Sequence, residues 1–381
     1  MARRSPETAM KWLQWSEWCA GNNGETELLR ARANRKLGRW DDVRNHLLQA
    51  RALGAPATDI QREDWLAKAQ SGQLEDVEIR RNQMLLDPQG DTEEICEAFV
   101  LGYLLNRRFH DAIQILEPWS ADYPDTAQPH YLLGLTYAEN DKLAPSVKSL
   151  RRALELEPDY MQARLALAKA LLTMNNGKDA LPEFRACAKI QETGEVDCGI
   201  AQSLLSLGEF TEARAVLESA IVRFPDNFCL HLTLGKFLMD DQMQVAFLHL
   251  EKAVKLQSRN IDARYSFAQI LLRLRSSDEA QVHLDYVQAA NVALARMQKD
   301  LDKIQSEPAN VEIRCRIGLT QLKYGTERQG VEWLQTVLNY DPGNKDANQA
   351  LAEYYEARAS ESSVFSELAA RYRQAFRKET R

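Results

Sequence analysis

Histidine, cysteine and acidic residues are the side chains of this 381-residue sequence best suited to metal binding or catalysis. The six histidines and six cysteines are dispersed, with no CxxC and no cysteine–histidine pair at metal-ligand spacing. The motifs HExxH, GxSxG and GxxxxGK[ST] do not occur. Carboxylates such as Asp122 and Asp125 fall in turns, where turn chemistry explains them. We therefore predict no enzyme activity, no metal site and no cofactor.

Several cysteines fall where a small apolar residue is expected, so we predict buried, reduced thiols rather than a disulfide framework. They are Cys19, Cys96, Cys187, Cys198, Cys229 and Cys315. The sequence has no apolar run long enough to cross a membrane and no signal peptide. We expect a soluble cytoplasmic protein, or a membrane-anchored or periplasmic one if an upstream segment is missing. A net charge of −7 argues against a nucleic-acid partner.

Three classes of residue recur with a period of about 34. Prolines are spaced by 36, 34 and 67 residues between Pro88 and Pro225, the last step being nearly two periods. One small residue recurs at steps of 34, 33 and 33 from Ala153 to Ala253, and another at 34, 33 and 34 from Gly134 to Gly235. Such agreement indicates an internal structural repeat.

Each period is predicted to form helix–turn–helix. In residues 127–160, apolar residues follow helical spacing on both sides of a polar break at 139–142. Pro158 ends the second helix, because proline cannot continue a helix. The small residues mark where the two helices touch closely. His130 and His231 occupy equivalent positions near the start of a first helix, and we interpret both as packing residues.

These residues resemble the tetratricopeptide repeat. The segment 127–160 has the family's Leu, Gly, Tyr, Ala and Pro at the expected positions, as Leu133, Gly134, Tyr137, Ala153 and Pro158. Copies over 161–193, 194–227, 228–260, 311–344 and 93–126 match at many of the same positions. Looser copies cover 24–57, 57–92, 261–294 and 345–378.

The resemblance implies an all-α fold, a right-handed α-solenoid of stacked helix-turn-helix repeats that is a single solenoid over 1–381. Its parts would be an N-terminal helix over 5–21, looser repeats over 24–126, the best-matched repeats over 127–260, a repeat with an extended second helix over 261–310, and a C-terminal repeat and cap over 311–378. The first helix of each pair would line a concave groove.

The implied function is a non-catalytic scaffold or adaptor that binds a protein or peptide in this groove and supports complex assembly. The alternatives are a regulatory sensor of a small peptide or metabolite, and an accessory, substrate-recruiting subunit of an enzyme. The family's geometry gives these groove residues: Leu101, Tyr131, Leu135, Lys169, Gln202, Lys236, Tyr265, Gln269 and Arg273. Asparagine is missing from the positions that clamp chaperone C-termini, so that ligand is not predicted.

Three departures from the repeat have two interpretations each. Trp12, Trp15 and Trp18 lie on roughly one side of the N-terminal helix, as a cap or as a docking surface for a partner. An apolar stripe that continues from Ser277 towards Pro308 predicts one long helix, or two broken near Asn291. It either fills a register shift or projects as a docking arm or dimer contact.

The third departure is in the distribution of charge. Residues 1–57 carry 10 basic and 6 acidic side chains, whereas residues 58–160 carry 10 basic and 20 acidic ones. We interpret the basic segment 30–39 as a solvated helix face. The alternative is head-to-tail self-association or binding of an acidic peptide.

Overall fold

The computed structural model describes residue 12 and residues 23–74, 77–86, 91–304, 306–360 and 362–378. Every regular element in these ranges is an α-helix, which confirms the all-α prediction. The chain divides into two compact units, Met1–Trp119 and Ser120–Arg381. Trp12 is helical and about half exposed, at 51%. Trp15, Trp18 and most of the helix predicted over 5–21 lie outside the described residues.

From residue 23 on, unit 1 contains six helices, of which the first two pack together as a hairpin. They are α1 (Gly24–Lys36), α2 (Trp40–Ala52), α3 (Ala57–Gln70), α4 (Glu78–Leu86), α5 (Thr92–Leu105) and α6 (Phe109–Asp122), the last ending just beyond the unit boundary. The first helices contact one another in order, α1 with α3 and α3 with α5.

The described residues of unit 2 form seven hairpins. The pairs are α7 (Ala127–Glu139) with α8 (Leu143–Leu156), α9 (Met161–Thr173) with α10 (Gly177–Ile190), α11 (Gly194–Leu207) with α12 (Phe210–Arg223), α13 (Phe228–Leu238) with α14 (Met243–Leu256), α15 (Ile261–Arg273) with α16 (Ser277–Ile304), α17 (Val311–Tyr324) with α18 (Glu327–Tyr340), and α19 (Lys345–Glu356) with α20 (Ser363–Lys378). Stacked helix-turn-helix repeats are therefore confirmed in unit 2. One solenoid over 1–381 stays a prediction.

Small residues allow the helices to approach closely. A Cβ atom added to Gly134 on α7 would lie 2.4 Å from Leu150 Cγ on α8, and Gly235 and Gly318 face Leu250 and Leu334 in the same way. Gly102 on α5 is tighter, because its added Cβ would lie 1.9 Å from the backbone oxygen of Ala69 on α3. The sequence's periodic glycines thus mark helix contacts.

Asparagine side chains begin many of the helices of unit 2. The Asn227 side chain accepts a hydrogen bond from the Leu230 amide at 3.1 Å, and Asn260 accepts one from the Ala263 amide at 2.9 Å. These bonds satisfy amides that the first turn of a helix leaves without a partner. The same cap occurs at Asn176, Asn310 and Asn344.

The long helix α16 serves two repeats. Its first half packs with α15, and its second half buries Met297, Leu301 and Ile304 in a cluster with Ile317 and Trp333 of the next hairpin. Because the buried stripe continues to Ile304, which is 1% exposed, this half fills the gap between repeats. It is a packed element, and the interpretation as a projecting arm is wrong. No described helix is long and apolar enough to span a membrane.

Candidate functional site

The first-helix face of unit 2 is the candidate site, by which we mean the surface formed by α7, α9, α11, α13 and α15. Contacts between consecutive first helices join α7 to α9, α9 to α11 and α11 to α13. Eight of the nine groove residues expected from the sequence lie on these helices. Leu101, half-buried on α5, belongs to unit 1.

A cavity of about 380 Å³ opens on this face. Two of the expected residues, Gln202 of α11 and Lys236 of α13, line it together with Asp262 of α15. The rest of its lining was not singled out from the sequence: Leu205, Leu232, Thr233 and Phe237. Its walls are mostly apolar, and its amide, hydroxyl and charged groups lie together, as in many ligand sites.

The three cations among the expected groove residues are all paired with carboxylates. Lys169 Nζ lies 2.6 Å from Glu195 Oε1, and Lys236 Nζ lies 2.9 Å from Asp262 Oδ2. Arg273 Nη1 lies 2.7 Å from Asp240 Oδ1. We call these pairs the ion-pair ladder, since each joins neighbouring repeats. Exposed pairs of this kind stabilise weakly, and here each one neutralises its cation.

The apolar part of the face lies on α7. The Tyr131 ring is 4.9 Å from the Tyr160 ring, and burial raises the pKa of the Tyr131 hydroxyl. Leu135 is half-buried beside it on the same helix. Farther along, Tyr265 is exposed and Gln269 is half-buried, both on α15. The structure thus brings Gln202 and Lys236 together in one cavity and distributes the other residues along the face.

Two cysteines of this face form a disulfide, which corrects the prediction of reduced thiols. Cys198 of α11 is bonded to Cys229 of α13, with Cα atoms 6.1 Å apart. Cys187 and Cys315 are free and buried, as expected, and Cys96 is also buried. Burial, with Asp346 nearby, raises the pKa of Cys315 to about 11, so this thiol stays protonated and unreactive near neutral pH.

The basic segment of α1 is neutralised within its own unit. Arg35, which is 1% exposed, donates to Glu63 Oε1 at 2.6 Å and to Glu94 Oε1 at 2.7 Å. Arg32 Nη2 lies 3.1 Å from Asp91 Oδ2. The basic and acidic blocks of the sequence therefore pair across α1, α3 and α5. The interpretation of Arg35 as part of a solvated face is wrong, and self-association is not needed to neutralise these charges.

The pKa values of two carboxylates in this cluster, Glu63 and Glu94, are shifted in opposite directions. Burial raises the pKa of Glu63 even beside the Arg35 guanidinium. Burial alone would also raise the pKa of Glu94, but Arg35, Arg32 and Lys36 together lower it. Next to the cluster lies a cavity of about 370 Å³, lined by Arg32, Arg62, Glu63, Asp91, Glu25, Asp59, Leu28, Leu29 and Pro56.

His231 and His249 contact each other, and His231 also contacts the backbone. His231 Nε2 lies 2.9 Å from the Pro225 carbonyl oxygen, and its Nδ1 lies 2.9 Å from Nδ1 of His249. Burial, with His231 nearby, lowers the pKa of His249. Desolvation also lowers the pKa of His130. Within the described ranges, no group of three or more His, Cys, Asp or Glu residues is arranged to hold a metal ion.

The hairpins, their glycine contacts and the contacts between consecutive first helices define a helical-hairpin repeat protein. Residues 131–194 match the family model of the tetratricopeptide repeat. This part of the chain thus matches the tetratricopeptide repeat that its residue pattern predicted.

Similar proteins include one curated relative and several solved structures. Over 73 residues the chain is 34% identical to the tetratricopeptide repeat domain-containing protein PYG7, chloroplastic, of Arabidopsis thaliana, a match to 18% of this chain and 24% of that protein. The chain thus spans about a quarter of that relative's length. The APC/C hetero-tetramer Cut9–Hcn1 aligns with 97% of this chain and 67% of its own, at 15% identity and a TM-score of 0.44. The human IFIT1 dimer with m7Gppp-AAAA aligns with 99% and 95%, at 13% identity and a TM-score of 0.43.

Proposed function

We propose that this protein is a non-catalytic scaffold or adaptor, which binds a protein or peptide on the first-helix face of unit 2 and supports complex assembly. The repeat fold supports a protein-interaction role in general terms. The observation that carries the finer proposal is the cavity of about 380 Å³, where Gln202 and Lys236 meet an apolar wall. The opening lies on the face where the family binds its partners.

The lining indicates the chemistry of the bound segment. Leu205, Leu232 and Phe237 offer an apolar surface that suits an aliphatic or aromatic side chain. The Gln202 amide, which donates to Thr233 Oγ1 at 3.2 Å, lies beside it and can exchange this bond for one to a peptide backbone. Since the ion-pair ladder already neutralises its cations, we favour an uncharged extended segment over an acidic one.

A sensor of a small peptide or metabolite is the second candidate. A cavity of this size lies within the range of about 300–1,000 Å³ that is usual for small-molecule sites. The accessory-subunit role stays an alternative without a specific structural observation behind it. We also keep a cytoplasmic location and the absence of a nucleic-acid partner as parts of the proposal, with self-association open.

Charge reversal on the face tests the proposal. We would capture partners from extracts of the native host with the wild type and with a triple variant, Lys169→Glu, Lys236→Glu and Arg273→Glu. Each change removes one rung of the ion-pair ladder and sets two carboxylates against each other. The expected result is that the partner captured by the wild type is lost.

A matched control makes the loss specific. Arg185, Arg214 and Lys252 lie on the second helices α10, α12 and α14, and each also has a carboxylate partner. Their reversal to Glu should leave capture unchanged. If the partner survives the first-helix variant, or if both variants lose it, binding on this face is wrong. The surface of Trp12, Trp15 and Trp18 would then be the next docking candidate.

A further inference from the structure

The Cys198–Cys229 disulfide lies at the wall of the candidate cavity. It joins the first helices of two neighbouring repeats, α11 and α13, across 31 residues of sequence. Cys198 is fully buried, whereas Cys229 is partly exposed. Cys229 is therefore the member of the bond that a reagent approaches from solvent.

Both sulfurs contact side chains that line the cavity. Thr233 Oγ1 lies 3.4 Å from Cys198 Sγ, and the Gln202 side-chain nitrogen lies 3.6 Å from Cys229 Sγ. Gln202 also donates to Thr233, so these two polar lining residues and the disulfide form one connected group. A change at the sulfurs reaches the cavity without an intermediate residue.

We propose that the Cys198–Cys229 bond is a reversible redox site that sets the shape of this cavity. Disulfides that persist in reducing compartments are usually regulatory, and exposed ones are the more easily reduced. The disulfide would react at Cys229 Sγ with a dithiol reductant, which can be a small molecule or a protein.

The exchange takes two steps. A thiolate of the dithiol attacks Cys229 Sγ, the bond between the two cysteines breaks, and Cys198 leaves as a thiolate that takes up a proton. The second thiol of the dithiol then attacks the mixed disulfide, and Cys229 leaves and is protonated in turn. The protein gains two electrons and two protons, and the dithiol becomes a disulfide.

Reduction must change the spacing of the groups around the bond. Two unbonded sulfurs cannot remain at a covalent distance, so either their side chains rotate or α11 and α13 separate. Thr233 and Gln202 are in direct contact with these sulfurs and have to adjust in both cases. The oxidised form therefore holds the cavity in one arrangement, and the reduced form releases it.

Alkylation of the native protein tests whether the bond is accessible. The full chain is incubated with dithiothreitol, chosen as the dithiol probe, then blocked with N-ethylmaleimide and mapped by mass spectrometry. We expect label at Cys229 under native conditions, and at least tenfold less at buried Cys187. If the bond opens only in denaturant, it is a structural link and the redox proposal is overturned.

Amide hydrogen exchange tests the effect on the cavity. We expect reduction to raise exchange rates in α11 and α13 at least severalfold, with α17 and α18 as the internal control. A Cys198→Ser variant should exchange like the reduced wild type, and Cys187→Ser like the oxidised one. Unchanged rates in α11 and α13 would overturn the proposal. Because exchange is measured without a partner, this result does not depend on the proposed binding function.

Discussion

Arg35 Nε lies 2.6 Å from Glu63 Oε1 between α1 and α3, and both side chains are almost wholly buried. Removing one member of a buried pair leaves an uncompensated charge, which commonly costs about 3–5 kcal/mol. We expect Arg35→Ala to lower the free energy of unfolding of unit 1 by about this amount, since Glu63 and Glu94 both lose the short hydrogen bond that Arg35 donates. The loss of stability is measured by urea unfolding, with hydrogen exchange in α1, α3 and α5 as the readout.

Lys36 is the control for that change. Its Nζ lies 3.4 Å from Glu94 Oε1, but its side chain is 43% exposed. Lys36→Ala should therefore cost no more than about 1 kcal/mol, as for other exposed pairs. Equal effects of the two substitutions would show that burial does not set the strength of this cluster.

The atoms around Gly102 and Gly134 predict that an added methyl group destabilises the protein more at Gly102 than at Gly134. At Gly102 the new Cβ meets the Ala69 backbone oxygen, which moves only with its whole helix, whereas at Gly134 it meets the Leu150 side chain, which can rotate. We expect Gly102→Ala to destabilise by about 1–3 kcal/mol or more and Gly134→Ala by clearly less. Thermal unfolding of both variants compares them, and the opposite order would contradict this account.

The repeat was predictable because its signals are local and recur. Gly134 and Gly235 stand at the same step of the helical pattern, and each faces a leucine 15 or 16 residues further on within its own hairpin. Ala168 and Ala201 keep that step with small, fully buried side chains. A 34-residue period therefore gives both the helices and the contact between them.

Contacts between repeats were harder to predict. Arg35 meets Glu63 and Glu94, which are 28 and 59 residues away, only after α1, α3 and α5 pack side by side. A basic segment beside an acidic one is equally typical of exposed faces, so charge alone could not separate the cases. The spacing of Cys198 and Cys229, three short of one period, was the signal that could have revealed the disulfide.

The second half of α16 predicts a large difference between its two faces. Ile304 is 1% exposed, whereas Val292 on the same helix is 62% exposed. We expect Ile304→Ala to cost about 2–5 kcal/mol, because it leaves a cavity against the next hairpin. Val292→Ala should change stability by no more than about 0.5 kcal/mol. Chemical denaturation of the full chain compares them, and a neutral Ile304→Ala would argue against the packed role.

The His231–His249 pair predicts loss of stability in mild acid. Because burial, with His231 nearby, lowers the pKa of His249, the unfolded chain binds more protons there than the folded one. The stabilisation is complete above the ordinary histidine pKa of about 6.5 and is lost as the pH falls through the lower folded value. Unfolding measured from pH 7.5 to 5 should show this slope.

Substitution tests whether His249 causes this pH dependence of stability. His249→Asn should flatten the pH dependence of stability, because it removes the group whose pKa differs between the folded and the unfolded chain. His130 and His283, whose pKa values are also lowered, account for any slope that remains. An unaltered slope in His249→Asn would exclude the pair as its source.

The Cys198–Cys229 bond also has a mechanical consequence. When a pulling force extends a chain, the segment enclosed by a disulfide cannot lengthen. Here the bond spans 31 residues, which amounts to roughly 100 Å of extended chain at about 3.3–3.6 Å per residue. The oxidised protein would therefore extend less than the reduced one by about that length. Most of α11 and all of α12 would remain enclosed in the loop while the other helices were drawn out under load.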